Sequence, residues 1–543
     1  MSSLDKSHGA GAFVNEARSP TDDGTFDGIH TAVSAYDKRD MHRMGKKQEF
    51  RRNFKIISTV GFTTCVMGTW EILLTSNTQG LTAGGLPGLF WSLVWCYVGQ
   101  TFVVLSLAEM ASMAPARSTL TAGGQYHWVS EFAPARFQRS LSYLSGWLST
   151  ISWQSIVTID CFLVGGIVQA LIVLNNETFV AERWQVTLLT MASVIILSLF
   201  NIFGAKHLPL AEGIFALLHV FAFVPVIAVL WVLCPTKQTA AAVFTEFTDN
   251  GAGWPNMGAT VLVGQVSSMF VVLGSDSVAH MSEEVLDAGV IVPKSMVWAF
   301  FLNIPFTFLL LVTYLFCIGN IEEALTSTTG YPFVYVFQNA IGSVSGTTGM
   351  VIVVEILLLM ITASVIASAS RQTFAFARDN GMPGSTWLAK VHPGLKIPVN
   401  SIIFTIVFTV LLSLINIGST TAFNALLSLA VSALMATYVL SIGCVTLRRL
   451  RGEPLPAARW SLGRYGLAVN VTSLLYAFWC FFWSFWPNAY QVTQVNFNWA
   501  SVIFVGFMII CFAAYWLGAR RKYEGPVAKV VDVDSLHEER EMK

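Results

Sequence analysis

Apolar stretches of about twenty residues recur along this chain from near residue 56 to near residue 518, separated by charge, proline or glycine. An α-helix rises about 1.5 Å per residue, so each stretch is long enough to cross the roughly 30 Å hydrocarbon core of a bilayer. Backbone polar groups in hydrocarbon must be satisfied within the protein, which a helix achieves inside one segment. The pattern predicts an all-α integral membrane protein of about twelve transmembrane helices, at 56–77, 86–107, 142–164, 184–204, 208–233, 258–280, 296–318, 348–370, 399–416, 421–445, 466–486 and 499–518. Composition agrees, because 54% hydrophobic and 12% charged residues exclude an ordinary soluble domain, where charged residues are about a quarter.

Charge placement sets the expected orientation. With the amino terminus inside, only Arg183 and Lys237 of the 32 Lys and Arg residues fall on the outer side, as the positive-inside rule requires. Arg51, Arg52 and Lys55 precede the first span, Arg136 and Arg139 the third, while Arg448, Arg449 and Arg451 follow the tenth and Arg520, Arg521 and Lys522 the twelfth. The sequon Asn176-Glu177-Thr178 falls in a predicted outer loop. Met1 to Lys55 holds no apolar core of a cleavable signal, so the first span is expected to direct insertion. Residues 1–53 and 520–543 read as cytosolic tails, the first disordered, around a membrane domain at 54–519. The eight cysteines show no CxxC spacing and read as small buried hydrophobes, with Cys234 and Cys317 the pair nearest the outer face.

Carriers often place their solute where two helices at corresponding positions of two halves are interrupted. Met67-Gly68-Thr69-Trp70-Glu71 interrupts the first run, and Leu273-Gly274-Ser275-Asp276-Ser277 interrupts the sixth. Glycine eases unwinding, hydroxyls satisfy freed backbone groups, and such a stretch exposes amides to a carboxylate and carbonyls to an amine. The alternative, glycines that merely let helices approach, suits one such glycine better than a pair beside carboxylates.

An ionised carboxylate in a span costs about 2.5–3.5 kcal/mol, so Glu71, Asp160, Asp276 and Glu355 should face the interior or a water path. Glu71 and Asp276 rank first because they stand at the paired breaks; Asp160 and Glu355 read equally as protonated groups bonded between helices. His219 in the fifth span is a candidate proton carrier, with Glu71 its rival. Trp70, Trp153 and Phe270 are candidate pocket walls able to make cation–π contact, although ordinary packing is the commoner role. At the inner ends of the second, sixth and eighth spans, Glu109, Glu283, Glu284, Arg371 and Arg378 are candidates for a cytoplasmic gate; a solvated charged rim is the alternative.

Four segments then carry a family resemblance: Leu107-Ala108-Glu109-Met110-Ala111-Ser112-Met113-Ala114-Pro115; Ala122-Gly123-Gly124-Gln125-Tyr126-His127-Trp128; Gly274-Ser275-Asp276 through His280-Met281-Ser282-Glu283-Glu284; and Ser370-Arg371-Gln372 through Arg378-Asp379 to Gly381-Met382-Pro383, before Pro398-Val399-Asn400. In these the chain resembles the amino acid-polyamine-organocation (APC) permeases and, within them, the fungal amino acid/choline transporters that include 4-aminobutyrate permeases. The resemblance implies a five-plus-five inverted-repeat (LeuT-type) core with two extra helices. It also implies a site between broken helices 1 and 6, built on Gly68, Thr69, Gly274 and Ser275, with Trp70, Glu71 and Asp276 beside it. Trp70 and Glu71 stand where many relatives have a second small residue. That departure favours a solute with separated charges, such as 4-aminobutyrate, or a quaternary amine such as choline.

The expected activity is import of an amino-acid-like solute by alternating access and proton symport, with choline or a polyamine as alternative solute. Import places the protein in the plasma membrane, with the vacuolar membrane as alternative. No cofactor, metal or nucleic acid is implied. GxxxxGK[ST] and HExxH are both missing from the sequence, which argues against ATP-driven pumping by the chain itself and against a metalloprotease. A receptor that binds the solute without moving it remains the reading from another class.

Overall fold

The apolar runs become helices whose ends are marked by local chemistry. Lys55 opens the first span, its amide donating to Ser58 Oγ at 2.9 Å. Pro209 sits in the first turn of the fifth span, Leu208–Leu233, where its missing N–H costs nothing. Ser343 caps the eighth, accepting from the Gly346 amide. The computed structural model describes residues 54–118, 122–419, 421–523 and 525–526. The expected tail at 1–53, with Arg51 and Arg52, and most of 520–543 lie outside the described residues.

Among the described residues eleven helices are long and apolar enough to cross a membrane: Ile56–Ser76, Gly85–Met113, Gln138–Asn175, Arg183–Phe203, Ala205–Leu233, Ala288–Phe316, Val344–Arg378, Val399–Gly418, Ala422–Leu450, Gly463–Trp483 and Ala500–Lys522. The sixth of the predicted spans is the exception, since its apolar helix Met257–Val271 stops, the chain runs non-helical over 272–276, and a short helix Ser277–His280 follows. The protein is therefore an all-α integral membrane protein of about twelve spans. Several helices overrun their apolar cores: the third is 38 residues long and the eighth 35, because polar ends extend past the region that hydropathy marks.

Burial separates core from periphery. The first, third, eighth and tenth spans are 72%, 72%, 67% and 83% buried over their most apolar window, against 6% for the twelfth. The twelfth therefore lies at the edge of the bundle, and the four buried spans enclose its centre together with the broken sixth.

The packing partners repeat when each helix is exchanged for the one five later. The first span packs on the fifth as the sixth does on the tenth, and the first on the seventh as the sixth does on the second. The third packs on the tenth as the eighth does on the fifth, and on the ninth as the eighth does on the fourth. A short helix, Gln125–Phe132, lies between the second and third spans, and Pro332–Ile341 lies between the seventh and eighth. Five spans per half is an odd number, so the two halves enter the membrane from opposite sides, and exchange relates the two broken helices to each other.

Candidate functional site

The two interruptions meet. Gly68 takes φ 42° and ψ 42°, a left-handed conformation that glycine adopts at little cost, and Gly274 takes φ 92°. A Cβ on Gly274 would stand 3.4 Å from the carbonyl oxygen of Val66, and one on Gly68 would stand 2.3 Å from Ile361 Cδ1 of the eighth span. The expected interruption over Met67 to Glu71 is shorter in the structure: only Gly68 leaves the helix, and Thr69–Ser76 resumes it at once.

That brevity decides which backbone atoms are free. The amide of Gly68 donates to Thr64 O at 3.0 Å and its carbonyl accepts from the Ile72 amide at 2.8 Å, so both are used. Among the described residues the amides of Thr69, Trp70 and Glu71 find no acceptor, and the carbonyls of Val66 and Met67 find no donor. In the sixth span the carbonyl of Gly274 accepts from Ser277, whereas the carbonyls of Val271, Val272 and Leu273 and the amides of Gly274, Ser275 and Asp276 have no partner among the described residues. The breaks thus hold donors and acceptors in one place, within three residues of the two glycines.

Side chains follow the resumed helix. Thr69 donates its hydroxyl to Asn303 Oδ1 at 2.9 Å and accepts from Thr307 at 2.7 Å, and Thr307 in turn accepts from Tyr97 at 2.7 Å. This hydroxyl ties the first span to the seventh and second. Trp70 turns to the fifth span, with Nε1 3.1 Å from His219 Nδ1 and its ring 5.8 Å from that of Phe223. Glu71 also faces His219, at 2.8 Å from the same nitrogen. Trp70, a candidate wall, is therefore packed behind the break, and the candidate proton carriers Glu71 and His219 are brought together.

The space between the breaks is lined by Val66, Met67, Ile72, Leu273 and Gly274 from the two broken helices, Phe270 from the sixth, and Trp153, Ile156 and Asp160 from the third. Its free volume is about 20 Å³, room for roughly one water molecule, so the site is contracted around its centre. Trp153, Ile156 and Asp160 recur at helical spacing and share one face. That i, i+3, i+7 series was the sequence signal for Asp160, which ranking by proximity to a break placed below Asp276.

Asp276 lies below the cavity, towards the predicted inner end. Its Oδ1 accepts from the Tyr438 hydroxyl at 2.9 Å and its Oδ2 from Gln125 Nε2 of the short helix. His280 donates from Nδ1 to the Ala122 carbonyl at 3.0 Å and sets its ring edge-on to Trp153 at 5.2 Å. Ser275 is fully buried, and its hydroxyl has no partner.

Further towards that end, Glu284 pairs with Arg371 at 2.9 Å and Glu283 with Arg378 through two bonds of 2.5 and 3.1 Å, joining the end of the sixth span to the eighth. Glu109 is not in this pair of bridges: it meets Arg449 of the tenth span at 2.5 Å and accepts from the Leu462 amide. At the opposite end Cys234 Sγ lies 3.8 Å from the Cys317 carbonyl, and both cysteines are free thiols.

A family model for amino acid permeases matches residues 54–509, nearly the whole membrane domain. The chain belongs to this amino acid permease family. Among relatives, a protein of Macrophomina phaseolina whose name assigns it provisionally to amino acid/polyamine transport is 30% identical over 81% of this permease and 96% of its own length. The amino-acid permease BAT1 of Arabidopsis thaliana is 27% identical over 90% of this permease and 96% of its own length. The choline transporter of Saccharomyces cerevisiae is 25% identical, covering 88% and 82% respectively. The residues matched in this permease take in both glycine breaks, Asp160, His219 and the Glu–Arg bridges.

Proposed function

We propose that this permease is a secondary active transporter that imports an amino-acid-like solute, such as 4-aminobutyrate, by alternating access with proton symport. The observation that carries the reading is the juxtaposition of Gly68 and Gly274, with unpaired amides and carbonyls of both broken helices around one cavity. Gly68, Thr69, Gly274 and Ser275 supply or shape that backbone, and Glu71 with His219 is the proton-handling pair. The Glu283–Arg378 and Glu284–Arg371 bridges, with the Asp276–Gln125–Tyr438 cluster above them, form the inner gate; Glu109–Arg449 braces the second span against the tenth. Release inward breaks these contacts while the outer halves of the first and sixth spans close.

Choline or a polyamine is the second reading for the solute, favoured by an acidic group and two aromatic rings, Asp160, Trp153 and Phe270, on the cavity wall. Both termini are assigned to the cytosol, the tails 1–53 and 520–543 to the space outside the membrane domain, and the protein to the plasma membrane.

The deciding experiment is uptake of radiolabelled 4-aminobutyrate, choline and a panel of amino acids by proteoliposomes, with and without an inward proton gradient. Gradient-dependent accumulation of one solute supports the carrier and names its cargo. Binding without accumulation by well-reconstituted protein moves the assignment to a receptor.

A further inference from the structure

The buried carboxylates of the membrane domain divide sharply by their partners. Glu71 has His219, Asp276 has Tyr438 and Gln125, Glu212 has Ser364, and Glu109, Glu283 and Glu284 each have an arginine. Asp160 is 1% exposed, its Oδ1 has no hydrogen-bond partner, and no described Lys, Arg or His pairs with it. Glu355 is likewise unpartnered, but it stands away from the cavity, whereas Asp160 lines it.

The free carbonyls beside that wall also attract positive charge. The free carbonyl of Val66 faces the sixth-span break across from Gly274, and those of Val271, Val272 and Leu273 end the helix beside it. Trp153 and Phe270 line the same cavity, and aromatic rings can hold an ammonium group. A carboxylate left alone in hydrocarbon is costly, and a cation brought to it offsets that cost. Anion-receptive groups in the same region are the backbone amides at the two helix restarts, the Ser275 hydroxyl and the Trp153 indole N–H, none of which carries a formal charge.

From this we infer that Asp160 is the counter-charge for the ammonium group of the solute, and that a cationic head is obligatory for recognition. The inference rests on the transport reading above and narrows its substrate class to ammonium compounds. It makes 4-aminobutyrate and choline alternative ligands of one cation subsite and excludes solutes without a positive charge.

The test uses the purified full-length protein and its Asp160→Asn and Asp160→Glu variants. Thermal stabilisation by 4-aminobutyrate, choline and the uncharged choline isostere 3,3-dimethyl-1-butanol is measured in detergent, and uptake of the same labelled cations in proteoliposomes. Wild type should be stabilised by at least one cation and not by the isostere. Asp160→Asn should weaken apparent affinity for that cation at least tenfold, and Asp160→Glu, which keeps the charge one methylene further out, should recover part of it. If Asp160→Asn is not monodisperse, Asp160→Ser takes its place: binding of that cation within twofold of wild type in Asp160→Ser, which carries no charge, overturns the role. The inference also falls if Asp160→Asn matches wild type, if the isostere binds as well as choline, or if no cation stabilises wild type. Cation binding that needs Asp160, without uptake, would leave this inference standing and remove the transport reading instead.

Discussion

His219 Nδ1 stands 2.8 Å from Glu71 Oε1, and the Trp70 indole N–H points to the same ring nitrogen from 3.1 Å. One nitrogen cannot donate to the carboxylate and accept from the indole at once. With Nδ1 protonated the bond to Glu71 is made and Trp70 loses its acceptor; with Nδ1 bare its single lone pair accepts either from the indole or from a protonated Glu71, not from both. The proton position is thereby linked to Trp70, two residues after the break at Gly68. Nε2 of His219 and Oε2 of Glu71 are both buried without partners among the described residues, so the pair has unused hydrogen-bonding positions.

If this pair couples the proton gradient to the solute, Glu71→Gln and His219→Gln should each abolish gradient-driven accumulation while leaving solute-for-solute exchange largely intact. Counterflow and gradient-driven uptake in the same proteoliposomes separate the two. Loss of both activities together would mark the pair as structural, and full retention of gradient-driven uptake would remove its coupling role.

Gly68 is constrained twice, by its positive φ and by Ile361 Cδ1, 2.3 Å from where a Cβ would stand. Gly68→Ala should therefore cost about 1–2 kcal/mol for the backbone plus overpacking of about 1–3 kcal/mol. Shortening the neighbour with Ile361→Val or Ile361→Ala in the Gly68→Ala background should return part of the overpacking cost and none of the backbone cost. Apparent melting temperatures of the single and double variants measure this, and strict additivity would contradict the contact. At Gly274 the nearest atoms to a Cβ are 3.4 Å away, so Gly274→Ala should show backbone cost alone.

Much of the architecture is legible in the sequence because hydropathy and charge are local properties. The run lengths carry the number of spans, and the paired glycines carry the location of the breaks. The Glu283-Glu284 and Arg371 to Arg378 segments carry the bridge between the sixth and eighth spans. Side-chain direction is not local in this sense. A one-residue break at Gly68 lets the helix resume immediately, and each following residue then turns about 100°, sending Thr69 to the seventh span and Trp70 and Glu71 to the fifth. Asp276 sits beside a glycine in sequence, yet Tyr438 and Gln125 claim its two oxygens from 162 and 151 residues away. Asp160 reaches the cavity only because the third span packs in the centre of the bundle, which spacing alone does not place.

The bridges differ in depth, and that difference predicts their energetic weight. Arg371 and Glu284 have side chains 2% and 13% exposed, whereas Arg459 and Asp287 are 45% and 35% exposed. Removing one partner of a buried pair strands the other charge and costs about 3–5 kcal/mol, while an exposed pair contributes about 0–1 kcal/mol. Arg371→Met should therefore lower the apparent melting temperature clearly and Arg459→Met hardly at all. The double variant Arg371→Met with Glu284→Gln should recover much of the loss, because no unpaired charge remains. Equal effects of the two arginine variants would mean that the Arg371 bridge is solvated when the protein is in a membrane.

Asp276 and Asp160 are both acidic residues beside the sixth-span break, and their contacts assign them different work. Both Asp276 oxygens are occupied by Gln125 and Tyr438, on the short helix and the tenth span, so replacing the carboxylate removes ties of the sixth span to those two helices and not a cavity wall; if these ties belong to the proposed inner gate, the effect falls on opening. Asp276→Asn keeps one carbonyl acceptor but offers an N–H to one of two donors, so one of the two ties must break. The expected result is a changed maximal uptake rate with KM within about twofold of wild type, because the step altered is opening and not binding. A cysteine placed at Ala279 in this background should also react faster with a membrane-impermeant thiol reagent applied from the inner side. A KM raised tenfold with an unchanged maximal rate would instead place Asp276 in direct contact with the solute, after a rearrangement that frees its carboxylate from Tyr438.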